Sequence, residues 1–485
     1  MREVHVDSNG IQDEVRDLIV EGHRLMSMYV EEGKDSKQLL NIILSNGKFD
    51  VRMVSEVNGS YPSLTSLVPS ACYEREILEM SGVEPMGHPE PSPLRLRYDA
   101  RGINPMRKDV SPNQSLIREL DPMPHNGMDG DGIFEVPVGP IHAGVIEPNH
   151  FRFSVAGETI LMMRVNLGYK HKGIEKLMEA PLERDGTFLM ERVSGDNGIA
   201  HSLAYLQAIE RDTQVPERAS YIRMILAELE RICSHVGGIS GIATDVALSV
   251  PAASGMALRE RLMRLNQDVF GSRFLRGMLR PGGIRRDVDS KDIDRISSEM
   301  VSVVKEIEGI ADILRRSPSF MDRVQSIGML SEDDAMALGV VGPIGRASGI
   351  TCDVRHQRPY ELYENVGLKV PSRNKGDVYS RFMVKMDEAL ESVSMIMRCI
   401  GFIDEGPICT ELNPIDGFSM GVVESPRGEI VHCLNVVEGD VWRYKIRDAS
   451  FMNWPAIEFA TLGYILADFP LINKSLDLSC SGNDI

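Results

Sequence analysis

The chain has 485 residues, with 53 Lys plus Arg against 71 Asp plus Glu and a formal net charge of −18. That balance argues against a nucleic-acid binder, which needs a basic footprint, and against a polybasic membrane-surface protein. With 42% apolar and 26% charged residues, it is ordinary globular material, long enough for about two or three domains of roughly 150 residues each. Seven cysteines (72, 233, 352, 399, 409, 433 and 480) include no C-x-x-C pair. They form neither a disulfide framework nor a zinc-ribbon pattern, which points to a reducing compartment. The opening MREVHVDSNGIQDEV has no apolar core, so no signal peptide is expected.

In chain order, residues 1–110 read as a small α/β domain. Apolar side chains at Leu18, Ile19, Leu25, Met26, Met28 and Tyr29 predict a helix over 15–30. LLNIILSNG and FDVRMVSEV predict two strands joined by a turn at Ser45, Asn46 and Gly47. Pro, Gly, Asn and Asp cluster over 111–132 and mark a linker. The remainder, 133–485, is predicted to be a large, mainly helical domain with β-hairpins at its edges, so the fold class is α+β. Residues 151–168 predict two strands around a Gly-Glu turn. The spacing of Ile222, Ile225, Leu226, Leu229, Ile232, Cys233 and Val236 predicts a helix starting near Pro216. Further helices are expected over 254–270, 291–315 and 377–403, and a second β region over 421–451. Residues 236–258 are long enough to cross a membrane. They carry Asp245 and Pro251 among many small residues, which predicts a close-packed buried helix pair instead. The polypeptide itself is expected to be soluble, with any membrane association made through partners.

A set of strings then becomes informative together: VPVGPIHAGVIEPNHFRF (136–153), LGYKHKGIEKL (167–177), ERVSGDNGIAHSLAY (191–205), VPERASYIRMILAELERICSHVGG (215–238), RPGG (280–283), RASGITCDVRHQRPY (346–360), GDVYSR (376–381), ESPRGE (424–429) and RDASFMNWPA (447–456). Their order and spacing resemble the large subunit of membrane-associated, energy-converting nickel–iron hydrogenases. They also resemble the related D-type, quinone-site subunit of respiratory complex I. YEREILEMSGVEPMGHPE (73–90) and PMRKD (105–109) resemble the C-type subunit of complex I, here fused ahead of the larger domain.

The hydrogenase resemblance implies four cysteine thiolates in two C-x-x-C pairs, because soft thiolates hold nickel and iron. In this sequence the first pair of positions falls on Ser194 and Asn197 of ERVSGDN. The second, counted from Asp477 in SLDLSCSGND, falls on Ser479 and Gly482. Cys480 lies one place off. It is either an ordinary packed thiol or, after a one-residue shift, a lone ligand, and one thiolate cannot build that centre. The quinone resemblance is also broken. Its tyrosine position is Gly195, and in GPIHAGVIE the first His is kept as His142 while the second is Ile146.

What is retained is more hydrogenase-like. Glu147 matches a proton-gating glutamate, a role that suits a carboxylate whose pKa burial can raise; the alternative is a surface strand-end carboxylate. Arg427 matches an arginine poised over the active centre; the alternative is a turn arginine in a salt bridge. Lys172 and Glu175, three apart, predict an ion pair, the alternative being a relay that includes His171. His201, about two helical turns after Ser194, either orients the cavity or is a satisfied core histidine. Asp353 with Arg355, and Asp377 with Arg381, predict buried scaffold ion pairs.

The candidate catalytic residues are therefore Glu147, Arg427, His142, His201 and Glu175. No metal or cofactor is expected on this chain. An iron–sulfur cluster is expected in a partner small subunit, since no Cys group here has the spacing to hold one. The resemblance further implies ferredoxin-like and membrane antiporter-like partners, no nucleic acid, and a peripheral place at the cytoplasmic face of the cell membrane. The implied function is to couple electron transfer to ion translocation within a multi-subunit oxidoreductase. The alternatives are a non-catalytic coupling role in such a complex and a quinone-reducing site with substituted residues. With no metal ligands to fill, no proteolytic trimming is expected.

Overall fold

A computed structural model describes residues 1–96, 103–111, 114, 127–143 and 146–485. Most of the expected 111–132 linker lies outside the described residues. The first layer is a four-stranded sheet, with strand Arg2–His5 parallel to Asp50–Val57, followed by Gln38–Ser45 and Arg24–Glu32 in antiparallel order. Helices Ile11–Val20 and Ala71–Ser81 accompany it. The expected strands and the turn after Ser45 form as read. The helix expected over 15–30 does not. It stops at Val20, the chain turns through Gly22 at φ 83°, and Arg24–Glu32 becomes a strand. Seven of that strand's nine residues are buried, so both faces are covered and no alternation betrays it.

The rest is mainly helical, with two three-stranded meanders. One runs Ile133–Val138, His150–Ala156, Thr159–Asn166. The other runs Gly417–Ser425, Gly428–Val437, Asp440–Arg447 and continues into helix Ala449–Ala460. The core helix is Glu217–Asp245, which packs against Ser249–Phe270 and Val378–Phe402. The stretch 236–258 is thus a helix hairpin, its partners joined through 246–248. A Cβ on Gly255 would overlap Ser240 Oγ, so the small residues there set a close helix approach. No helix of the described residues is long and apolar enough to cross a membrane.

The second meander is the junction between the two layers. Arg24 forms a two-pronged bond to Glu429, at 3.0 and 2.6 Å. Trp442 Nε1 donates to Glu32 O at 2.6 Å, and Arg447 Nε to Met26 O at 3.0 Å. Val341, Ala449, Phe451 and Met452 complete the apolar core of the first layer. On the other side, a Cβ on Gly421 would overlap Ala204 O, so the meander lies directly on helix Gly198–Ile209.

Asp353 and Arg355 form the expected buried pair at 2.7 Å. Asp377 and Arg381 do not pair. Asp377 caps helix Val378–Phe402 through Ser380 N at 2.8 Å and also accepts Ser326 N at 2.9 Å. Arg381 instead donates to the carbonyls of Gly376 and Gly328 and to Ser475 Oγ. An N-cap carboxylate is already committed to backbone donors, which leaves the arginine to the carbonyls around it.

Candidate functional site

Two loops remote in sequence meet at one place. Residues 194–197 precede helix Gly198–Ile209, and Ser479 caps the short helix Cys480–Asp484 by accepting Gly482 N at 3.0 Å. Ser194 Oγ and Ser479 Oγ lie 3.1 Å apart, both buried. Ser479 Oγ donates to Glu147 Oε2 at 3.2 Å, and Ser481 N donates to the same oxygen at 2.9 Å. On the other side, Ser194 Oγ lies 3.2 Å from Asp196 Oδ1. Asp196 accepts both guanidinium prongs of Arg427, at 2.9 and 2.8 Å. Arg427 sits in the tight turn of the second meander and also donates Nε to Asp477 O at 2.5 Å. A continuous line of oxygen and nitrogen groups thus runs Glu147, Ser479, Ser194, Asp196, Arg427. Burial alone would raise the Asp196 carboxyl; the Arg427 fork outweighs it and holds the group below the usual range. Asp196 lies inside the ERVSGDN string but carries no signal of its own there.

A second line starts at His201, fully buried, one helical turn after Asn197. Its Nε2 is 3.1 Å from Asp448 Oδ2 and its Nδ1 is 3.0 Å from His432 Nε2. His432 Nδ1 lies 2.7 Å from Tyr444 OH. Burial and the neighbouring His201 hold His432 well below its usual range. Against burial, His201 and the backbone of Ser450 hold Asp448 down to about 2. The proton order consistent with an ionised Asp448 has Tyr444 donating to His432, His432 to His201, and His201 to Asp448. His432, Tyr444 and Asp448 do not stand out in the sequence, because they lie more than 200 positions from His201.

Two of the candidate catalytic residues, Glu175 and His142, stand elsewhere. The Lys172–Glu175 pair is absent. Glu175 is buried against Lys445 at 3.0 Å and Arg443 at 3.1 Å, and accepts Ile446 N at 3.0 Å. Burial opposes its ionisation, but Lys445, Arg443 and Arg95 hold it at about 2, so it is a structural counter-ion of the meander. Lys172 donates instead to Ser481 Oγ at 2.9 Å and to the carbonyls of Ser481 and Val193. With His171 bonded to Asp484 O at 2.7 Å, the GYKHKG string forms a cradle for helix Cys480–Asp484. His142 does not face Ser194. Its Nε2 bonds Asn149 O at 2.8 Å, and Asn149 Nδ2 donates to Glu147 O at 3.1 Å and Cys480 Sγ at 3.2 Å. His142 therefore orders the loop that carries Glu147.

Comparison with known proteins places this geometry in a lineage. Residues 5–115 match the family described as "Respiratory-chain NADH dehydrogenase, 30 Kd subunit". Residues 245–419 and 410–484 match "Respiratory-chain NADH dehydrogenase, 49 Kd subunit". Formate hydrogenlyase subunit 5 of Escherichia coli (strain K12) is 33% identical over 444 residues, covering 87% of this chain and 77% of that protein. This chain belongs to the family of complex I 49 kDa- and 30 kDa-type subunits, hydrogenase relatives included. The C/D subunit of NADH-quinone oxidoreductase from Bacteroides fragilis is a further relative in this family, 31% identical, covering 86% of this chain and 83% of its own length. Among solved structures, a chain of the membrane-bound sulfane sulfur reductase, an archaeal respiratory membrane complex, superposes with a TM-score of 0.69. It is 25% identical and covers 73% of this chain and 99% of its own.

Within this complex I-type subunit, the donor set does not fit a nickel–iron centre. The four relevant positions carry two hydroxyls, an amide and a glycine with no side chain at all. None supplies the soft, bridging thiolate such a pair of metals needs. Ser194 and Ser479 are turned onto each other, and Gly482 sits where a Cβ would meet the Asp448 carboxylate. Asn197 is buried with both side-chain polar atoms unpartnered. The neighbouring Cys480 is a buried thiol, pushed up to about 12, that accepts from Asn149; it does not present a thiolate.

Proposed function

We propose that this protein works in the peripheral arm of a membrane-associated, multi-subunit oxidoreductase at the cytoplasmic face. In this reading it couples electron transfer to ion translocation carried out by other subunits, and it does so without a nickel–iron centre. Its nearest partner is an iron–sulfur small subunit that holds the cluster this chain has no cysteine group to bind. Ferredoxin-like and antiporter-like membrane proteins complete the assembly. The observation that supports this reading is the unbroken polar line from Glu147 through Ser479 and Ser194 to Asp196 and Arg427. It retains proton-handling and charge-fixing groups where the relatives' ligand loops meet, with the thiolates replaced.

In this reading Glu147 takes up and releases protons at the cavity edge, and the paired hydroxyls pass them on. Arg427, fixed in position by the Asp196 fork, offers a permanent charge to an anionic acceptor or product. Because one relative is named a sulfane sulfur reductase, a polysulfide is the first acceptor to try, with a quinone as the second.

The test uses the purified complex with a reduced ferredoxin as donor. The expected result is donor oxidation that depends on polysulfide or quinone and releases no hydrogen. Hydrogen release matching donor oxidation, with no added acceptor, would overturn the reading.

A further inference from the structure

One cleft holds polar groups that the two lines above do not use. It is bordered by Gly195, Asp196, Glu230, Arg259, Asn266 and Arg273, and its free space of ≈ 30 Å³ suits about two water molecules. It reaches from Arg273, which is partly exposed, to the loop that carries Ser194. Asn266 Oδ1 and Arg259 Nε are buried there without a hydrogen-bond partner, and Asn266 is only 2% exposed. Arg259 has no ion-pair partner among the described residues. Buried polar atoms of this kind are the ones ordered water satisfies. Glu230 is buried on the wall, its two oxygens accepting Ile199 N at 2.9 Å and Ala200 N at 3.0 Å, directly after the 194–197 loop. A side chain built on Gly195 would meet no atom within 4 Å.

We infer that this cleft is a water-filled proton inlet to the cavity, with Glu230 as its proton-loading group. The inference rests on the redox reading above, which requires protons at the 194–197 loop. Burial, helped by the Asp196 charge, pushes the Glu230 carboxyl up to about 8 against its two backbone donors and Arg231. The other groups facing the cleft are Arg259 and Arg273, and Cys233, whose thiol burial pushes up to about 12. Near neutral pH, Glu230 therefore carries a proton it can both give and regain. A proton leaves its carboxyl for cleft water beside Gly195 and moves along Ser194 and Ser479 toward Glu147. A proton from bulk water replaces it through the cleft, so no charge accumulates. Asp196, held down by Arg427, acts as a fixed negative charge along this path.

Infrared spectroscopy of the purified complex, read with its pH–turnover profile, tests the inlet. Wild type should show a protonated carboxyl band at neutral pH that titrates near 8 and shifts promptly on transfer to D2O. Glu230→Gln should remove that band, slow turnover by about tenfold or more, and abolish the decline of turnover above pH 8. If Glu230→Gln does not fold, Gly195→Leu, which fills the open space, should slow the D2O shift while leaving the band. A band that survives Glu230→Gln, a band that Gly195→Leu leaves exchanging as in wild type, or wild-type turnover in Glu230→Gln would overturn the inlet. Should the complex fail to turn over with any acceptor, the redox reading falls, and the infrared exchange still decides the inlet by itself.

Discussion

Replacing Glu147 by Gln is expected to lower proton-coupled turnover of the intact complex by about 10²–10⁴-fold, the usual worth of a positioned acid–base group. The substitution is mild structurally. Glu147 is half-buried, and its Oε2 accepts from Ser479 Oγ and Ser481 N. A Gln carbonyl oxygen can accept both bonds. The lost property is the ability to bind and release a proton at the end of the hydroxyl line. The variant should therefore keep its thermal midpoint and its assembly while losing rate. The check is turnover across pH beside a melting curve. Unchanged ion pumping and rate would remove Glu147 from the mechanism.

The largest stability effect is expected at Glu228. It is fully buried and accepts Arg231 Nε at 3.1 Å, Arg355 NH1 at 3.1 Å, Tyr363 OH at 2.6 Å and Ser392 Oγ at 2.6 Å. Arg231 in turn donates to the carbonyls of Glu424 and Ser425, which lead into the turn of Arg427. Truncating one member of a buried charge network strands the others, at a cost of about 3–5 kcal/mol. Glu228→Ala should therefore lower the thermal midpoint by about 3–5 °C and loosen the Arg427 turn. Burial alone would raise the Glu228 carboxyl. Arg231 and Arg355, helped by the two hydroxyls, outweigh burial and bring it down from 4.5 to about 2. A depressed carboxyl contributes stability above its unfolded value and loses it as pH falls through its folded one. The gap between wild type and Glu228→Ala should thus be widest near neutrality and close between about pH 4.5 and pH 2. A gap that stays constant with pH would mean that Glu228 acts by packing and not by charge.

Strand Ile133–Val138 of the first meander gave no signal, but periodicity was enough to find the long helices, the other two strands of that meander and the β region of the second. It failed at Arg24–Glu32, where burial on both sides erases the alternation that separates strand from helix. The meeting of the 194–197 loop with the 479–482 segment could be expected only through the family resemblance, since nothing in either string alone points to the other. Local spacing misled at Glu175. The i, i+3 lysine was the obvious partner in sequence, yet Arg443 and Lys445, about 270 positions away, hold it more closely in a buried site. Asp377 went the same way, its carboxylate taken by a helix cap. Glu230, Asn266 and Arg259 gave no signal at all, because a cleft between two helices has no sequence signature.

Oxygen and nitrogen side chains, and not a bimetallic thiolate centre, occupy the meeting point of these two loops. Elemental analysis of the purified, turnover-competent complex tests it most directly. The expected result is iron in the amounts the iron–sulfur partners need and no stoichiometric nickel. One nickel per copy of this chain, lost together with activity on substituting Ser194 and Ser479, would contradict it.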